Sequence, residues 1–243
     1  MHKEYNRRTP NNNAVLFIHG IVGTPDHFKD FVPLVPEQWS VYNVLLDGHG
    51  GRVEDFTRTS MKKWKTQVNN KLEEISQNHD NIIIVAHSMG SLLSMQAFSG
   101  YKDRIKAMFF LQSPIKLFIR PRLIGILFKV LYNNIKPEDV VARAASDAYS
   151  IDRDKRLWKY LGWIPRFLEL FKEIRRTRKV VEGISAPVYV FQSAKDELVS
   201  ISGVKYFQGN PNIHVEILDN STHFYYDSED YEYMLKEFKK LMQ

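Results

Sequence analysis

Short runs of consecutive apolar residues punctuate the chain, each closed by glycine or polar loop residues. Residues 14–18 end at His19-Gly20, and residues 41–46 end at Asp47-Gly48-His49-Gly50. Unbroken apolar runs of this length predict strands buried on both faces. Residues 81–86, 105–111, 188–192 and 213–218 repeat the pattern. Between the runs the period changes. Met61, Trp64, Val68, Leu72 and Ile75 recur at three- and four-residue spacing after Ser60, which predicts an amphipathic helix. Helices are also predicted over about 89–98, between the last two strands, and over 228–241. Thr24-Pro25 offers an N-cap and a first-turn proline for a further helix start.

Strand and helix therefore alternate along most of the chain, which predicts a doubly wound α/β domain with a mostly parallel sheet covered on both faces. A length of 243 residues suits one such core. The alternation breaks over 113–183. This stretch has helix-like apolar content at 123–132 and 158–174 and prolines at 114, 121, 137 and 165, but no buried strand. It is expected to be a helical cap over the carboxyl ends of the strands, where open parallel sheets bind ligands. Residues 1–112 and 184–243 then form the core.

Charge sharpens this division. The chain carries 34 Lys and Arg against 28 Asp and Glu, but residues 116–179 hold 16 against 7, so the basic excess belongs to the cap segment. Such a surface is commonly just solvated, and it also suits anionic substrates or transient contact with a membrane surface. No nucleic-acid-binding motif accompanies it, so nucleic acid is not expected as a partner. The absence of cysteine excludes disulfides, thiolate metal sites and a cysteine nucleophile. Residues 1–13 are polar and basic and lack the apolar stretch of a secretory signal, so a cytoplasmic protein is expected, with order beginning after about the first dozen residues.

The chemistry centres on Ala86-His87-Ser88-Met89-Gly90, set between a predicted strand and a predicted helix. Small residues two positions either side of the serine let neighbouring chain approach. The following helix turns its positive end toward the hydroxyl. With this elbow, His19-Gly20, Asp47-Gly48-His49-Gly50, Asp196 and His223, the sequence resembles the α/β-hydrolase family over nearly its whole length. More narrowly, it is similar to small bacterial carboxylesterases and monoacylglycerol lipases with a helical cap. It departs from the usual Gly-x-Ser-x-Gly in having Ala86 first, a residue still small enough for the turn.

A serine hydroxyl needs a base within hydrogen-bond reach. Of the eight histidines, His2 lies in the polar start, His27 and His79 on a helix and a helix-end loop, and His214 within a strand. His87 adjoins the serine, where consecutive side chains diverge, and His19 and His49 are expected to shape the pocket. His223 follows the last strand, where the family's order of serine, acid and histidine places the base. Asp196, just after residues 188–192, fits the acid; Glu197 is its main rival and Asp219 the next. The resemblance further implies an oxyanion hole from the backbone N–H groups of Ile21 and Met89. Gly20 and His87, beside the reacting centre, and Leu123 and Leu127, in the apolar cap segment, are expected to contact substrate. No metal or organic cofactor is required. A carboxylesterase is expected, with a monoacylglycerol or lysophospholipid lipase, or a catalytically idle ligand-binding protein on the same fold, as alternatives.

Overall fold

The computed structural model describes residues 2–243. Seven strands form one sheet: β1 (Tyr5–Arg7), β2 (Asn13–Ile18), β3 (Ser40–Val44), β4 (Asn81–His87), β5 (Ile105–Leu111), β6 (Val188–Ser193) and β7 (Ile213–Leu218). Their order is β1-β3-β2-β4-β5-β6-β7. All neighbours are parallel except β1, which runs antiparallel to β3. The α-helices are α1 (Val53–Arg58), α2 (Met61–Ser76), α3 (Met89–Ala97), α4 (Arg122–Tyr132), α5 (Val140–Ala148), α6 (Ile164–Val180) and α7 (Ser228–Leu241).

Because successive side chains of a strand face opposite ways, each central strand feeds two cores. Ala14, Leu16 and Ile18 of β2 pack with Trp64 and Leu72 of α2, Leu92 of α3 and Ile174 of α6. Val15 and Phe17 face the other layer, built from Phe28, Phe31 and the α7 residues Met234 and Phe238. Both faces of the sheet are thus covered.

Several elements differ from those the pattern predicts. The polar start is ordered as β1, an edge strand held by Arg7, whose guanidinium donates to the carbonyls of Val35, Pro36 and Trp39 at 3.2, 2.7 and 3.1 Å. Thr24-Pro25 opens only a single 3₁₀ segment, Pro25–Phe28, with the Thr24 hydroxyl accepting from Asp26 N–H. α1 and α5 have no counterpart in the expected pattern.

Five helical segments separate β5 from β6: α4, α5, a 3₁₀ stretch at Leu157–Trp163, α6, and a 3₁₀ turn at Val181–Gly183 that continues α6. They are fastened to the loops after β2 and β3. Ser150 N–H donates to Val22 O at 3.0 Å and Asp152 N–H to Gly51 O at 2.8 Å, while Trp163 Nε1–H reaches Val53 O at 3.1 Å. The insertion therefore meets the sheet at the carboxyl ends of its strands. The far end of α6 belongs to the core layer: Ile174 packs there, and Gln96 of α3 donates to Thr177 Oγ1 at 2.8 Å. Among the described residues no helix is long and apolar enough to cross a membrane.

Candidate active site

β4 passes into α3 through Ser88, whose φ of 50° and ψ of −122° lie outside the ordinary regions for a residue with a side chain. Such strain persists only where the surroundings impose it. Here Ser88 N–H donates to Leu111 O at 2.9 Å, and its carbonyl accepts from Ser91 N–H at 2.9 Å and Ser91 Oγ at 2.7 Å. The turn also needs bare neighbours. A Cβ on Gly90 would lie 2.9 Å from His19 O, and one on Gly20 would lie 2.9 Å from Ser88 Cβ. Gly20 is thus beside the serine because nothing larger fits.

His223 and Asp196 come from the loops after β7 and β6. Both are buried, and the His223 Nδ1–H donates to Asp196 Oδ2 at 2.8 Å. An ionised carboxylate can only accept, so Nδ1 carries a proton toward Asp196; in the neutral tautomer with that proton, Nε2 is the acceptor nitrogen. Asp196 Oδ1 accepts the backbone N–H groups of Leu198 and Val199, each at 2.7 Å, which fixes the carboxylate before it meets the ring. Among the described residues His223 Nε2 has no hydrogen-bond partner.

The rival acids lie elsewhere. Asp219 is exposed. Glu197 is buried, but it accepts the backbone N–H of His223 at 3.1 Å and pairs with Arg122 at 2.6 Å. It holds the histidine's main chain rather than its ring, a part that adjacency to Asp196 did not foretell.

His87, expected among the substrate contacts, is buried beside His223. Its Nε2–H donates to His223 O at 3.2 Å, and its ring lies 3.9 Å from that of His27. Burial first, then the His27 and His223 imidazoles, hold His87 well below the ordinary histidine range, so it is neutral. His19 works on the other side. Its Nε2 accepts Leu46 N–H at 3.0 Å, which leaves the Nδ1–H to donate to Gly20 O at 2.8 Å. Burial and the nearby His49 keep His19 uncharged as well. His49 is pushed down to about 4 by burial, and its Nδ1–H donates to Leu46 O at 3.1 Å.

Of the two expected oxyanion donors, Met89 follows the serine directly and Ile21 follows Gly20, which lies against Ser88. Met89 is the first residue of α3, so its N–H has no partner within the helix. Ile21 follows Gly20 in a tight turn closed by Gly23 N–H donating to Gly20 O at 3.1 Å. The next residue, Val22, takes φ 53°, a strained value for a β-branched residue, and its carbonyl is tied to Ser150 of the insertion.

An apolar cavity of about 250 Å³ opens between the core and the insertion. Leu123 and Leu127 line it from α4, together with Val22, Tyr149, Tyr160, Trp163, Phe167 and Phe224. Phe224 meets the His223 ring edge-on at 4.7 Å, and Val22 belongs to the Ile21 turn. The cavity therefore abuts both halves of the site. Gly20 and His87 do not line it. Tyr149, Tyr160, Trp163 and Phe167 come from the insertion and Phe224 from the loop after β7, so no single stretch of sequence marks these walls as one surface.

A strained serine at a strand-to-helix elbow, with a histidine and an aspartate from later loops of the same parallel sheet, defines the α/β-hydrolase class. The comparisons narrow it: the family model described as serine aminopeptidase, S33, matches residues 9–223, and the chain belongs to that family. A monoglyceride lipase homolog of Monkeypox virus is 24% identical over 61% of this chain and 57% of its own length. A thermostable monoacylglycerol lipase of Bacillus sp. is 28% identical over 37% of this chain and 36% of its own. The chain thus spans well under two thirds of these relatives. Among solved structures, the monoacylglycerol lipase of Paleococcus ferrophilus superposes with a TM-score of 0.70 at 19% identity, covering 99% of this chain and 98% of that one. A metagenome-derived lipolytic enzyme, from the study of LipS and LipT, gives a TM-score of 0.74 at 16% identity, with 99% and 96% covered. These superpositions establish the shared fold.

Proposed function

We propose that this chain is a serine hydrolase that cleaves carboxylic esters through an acyl-enzyme on Ser88. The observation that supports the reading is the buried 2.8 Å bond from His223 Nδ1–H to Asp196, on a histidine whose ring centroid lies 5.0 Å from that of His87, the residue before Ser88. In this mechanism His223 Nε2 takes the Ser88 hydroxyl proton as the oxygen attacks the ester carbonyl. The tetrahedral oxyanion is met by the N–H groups of Ile21 and Met89. Asp196 stabilises the imidazolium, which then protonates the departing alcohol. Water repeats the sequence and releases the acid. The cap, assigned to residues 113–183, roofs the site, and Leu123 and Leu127 contact the acyl chain.

The cavity argues for ester over peptide substrates despite the family's description. None of its lining residues carries a carboxylate to hold a protonated α-amino group, whereas its apolar walls suit an acyl chain.

A second reading, a monoacylglycerol or lysophospholipid lipase, has its own support. Ile124, Phe128, Trp158, Leu161 and Leu168 of the insertion are exposed apolar residues in the basic part of the chain, a combination that suits contact with an anionic lipid surface. The names of the monoglyceride lipase relatives agree with it.

Hydrolysis of nitrophenyl esters from acetate to palmitate, with Ser88→Ala as control, tests both. A maximum at short or medium chains supports the carboxylesterase. A maximum at long chains that rises on vesicles supports the lipase. Absence of Ser88-dependent turnover on every ester overturns the enzyme reading and leaves a ligand-binding protein on this fold.

A further inference from the structure

The insertion is joined to the loop that carries Asp196. Leu117 pairs antiparallel with Val199. Phe118 N–H donates to Leu198 O at 2.9 Å, Arg120 N–H to Glu197 O at 2.8 Å, and Ser200 N–H to Lys116 O at 2.8 Å. α4 begins directly after this ladder. Its first residue, Arg122, donates to Lys195 O at 2.7 Å and to Glu197 Oε1 at 2.6 Å.

The Glu197 side chain is only 2% exposed. An ionised carboxylate so buried is costly unless its oxygens are partnered. Oε1 meets the guanidinium, and Oε2 accepts the His223 N–H at 3.1 Å. One carboxylate thus spans α4 and the main chain of His223. With His87 on the carbonyl and Asp196 on Nδ1, the histidine is gripped at three points.

We propose that Glu197 is a positioning residue that sets the main chain of His223 and, through Arg122, ties that setting to α4. The inference rests on Ser88, Asp196 and His223 acting as a triad. Its consequence is that an acyl chain pressing on Leu123 and Leu127 acts on the helix that holds the base in register. Displacement of a reacting group by about 1 Å costs on the order of 100-fold in rate, so small movements of this link matter.

The test compares Glu197→Ala, Glu197→Gln and Arg122→Gln with the wild-type chain on nitrophenyl acetate and nitrophenyl decanoate. The His223 backbone amide is followed by NMR in each. Glu197→Ala lowers kcat by about 10- to 100-fold, the effect of losing a hydrogen bond to a charged group, with KM changed by less than about twofold. Glu197→Gln, which keeps an acceptor oxygen, recovers most of the loss. The His223 amide proton moves upfield in the alanine variant and less in the glutamine variant. Arg122→Gln reduces kcat more on decanoate than on acetate, and this arm decides the link to α4 even where Glu197→Ala does not fold. The proposal is overturned by an unmoved His223 amide, by equal losses in the alanine and glutamine variants, or by equal losses on both esters in Arg122→Gln. If Ser88→Ala hydrolyses both esters as fast as wild type, the triad reading falls instead. The amide resonance then decides alone whether Glu197 holds His223.

Discussion

At Asp196 one carboxylate divides its work between two oxygens. Oδ1 is spent on the main chain of its own loop, and Oδ2 on the His223 ring. Asp196→Asn keeps the size of the group but offers an amide that can turn its NH₂ to the ring and reverse the tautomer. We expect kcat on nitrophenyl esters to fall by about 10⁴-fold with an unchanged circular dichroism spectrum. A fall of less than tenfold contradicts the assignment. Ser88 was legible from its neighbours because the elbow is a local device: small residues at 86 and 90 and a strand before a helix are all visible in five letters. Asp196 and Glu197 are adjacent and chemically alike, so nothing in the string separates the one that meets the ring from the one that meets the main chain. The loop's fold decides it. The partners of His87, His27 and the His223 carbonyl, lie 60 and 136 residues away, so its hydrogen bonding carries no local signal.

Among elements, the long and strongly patterned ones were legible. The last strand and last helix, β7 and α7, lie at the bounds their patterns predict. The missed ones are short or lack a large apolar stripe. α1 has six residues, and α5 buries only Ala142, Ala145 and Ala148, small side chains that leave little periodic signal. β1 is polar because it is an edge strand with little to bury. α7 carries the clearest energetic prediction. Phe238 is fully buried, with ring centroids 5.2 Å from Phe31, 5.5 Å from Phe109 and 6.3 Å from Phe17. Phe238→Ala empties that space and is expected to cost about 3–5 kcal/mol in urea unfolding. A loss below about 1 kcal/mol contradicts the packing of α7 on this face.

For the whole molecule, the buried histidines make stability depend on pH. His19, His49 and His87 are held neutral in the folded state, His49 down to about 4, chiefly by burial. Above the ordinary histidine value both states are neutral and nothing is lost. As pH falls through that value the unfolded chain takes up protons first, so stability declines between about 6.5 and the lower folded values. Each such histidine removes up to about 1.4 kcal/mol per pH unit in that window. The melting temperature is therefore expected to drop steadily from pH 7 to pH 4.5, and a level profile from pH 7 to pH 5 contradicts the neutral, buried cluster.

The most direct test of the central claim is mass spectrometry of the intact chain and its peptides after mixing with a nitrophenyl ester and rapid acid quenching. The account predicts an added acyl mass on the peptide containing Ser88 in the wild type, absent from Ser88→Ala and strongly reduced in His223→Ala. Ester turnover with no acyl mass on that peptide, or with the mass on another residue, contradicts it.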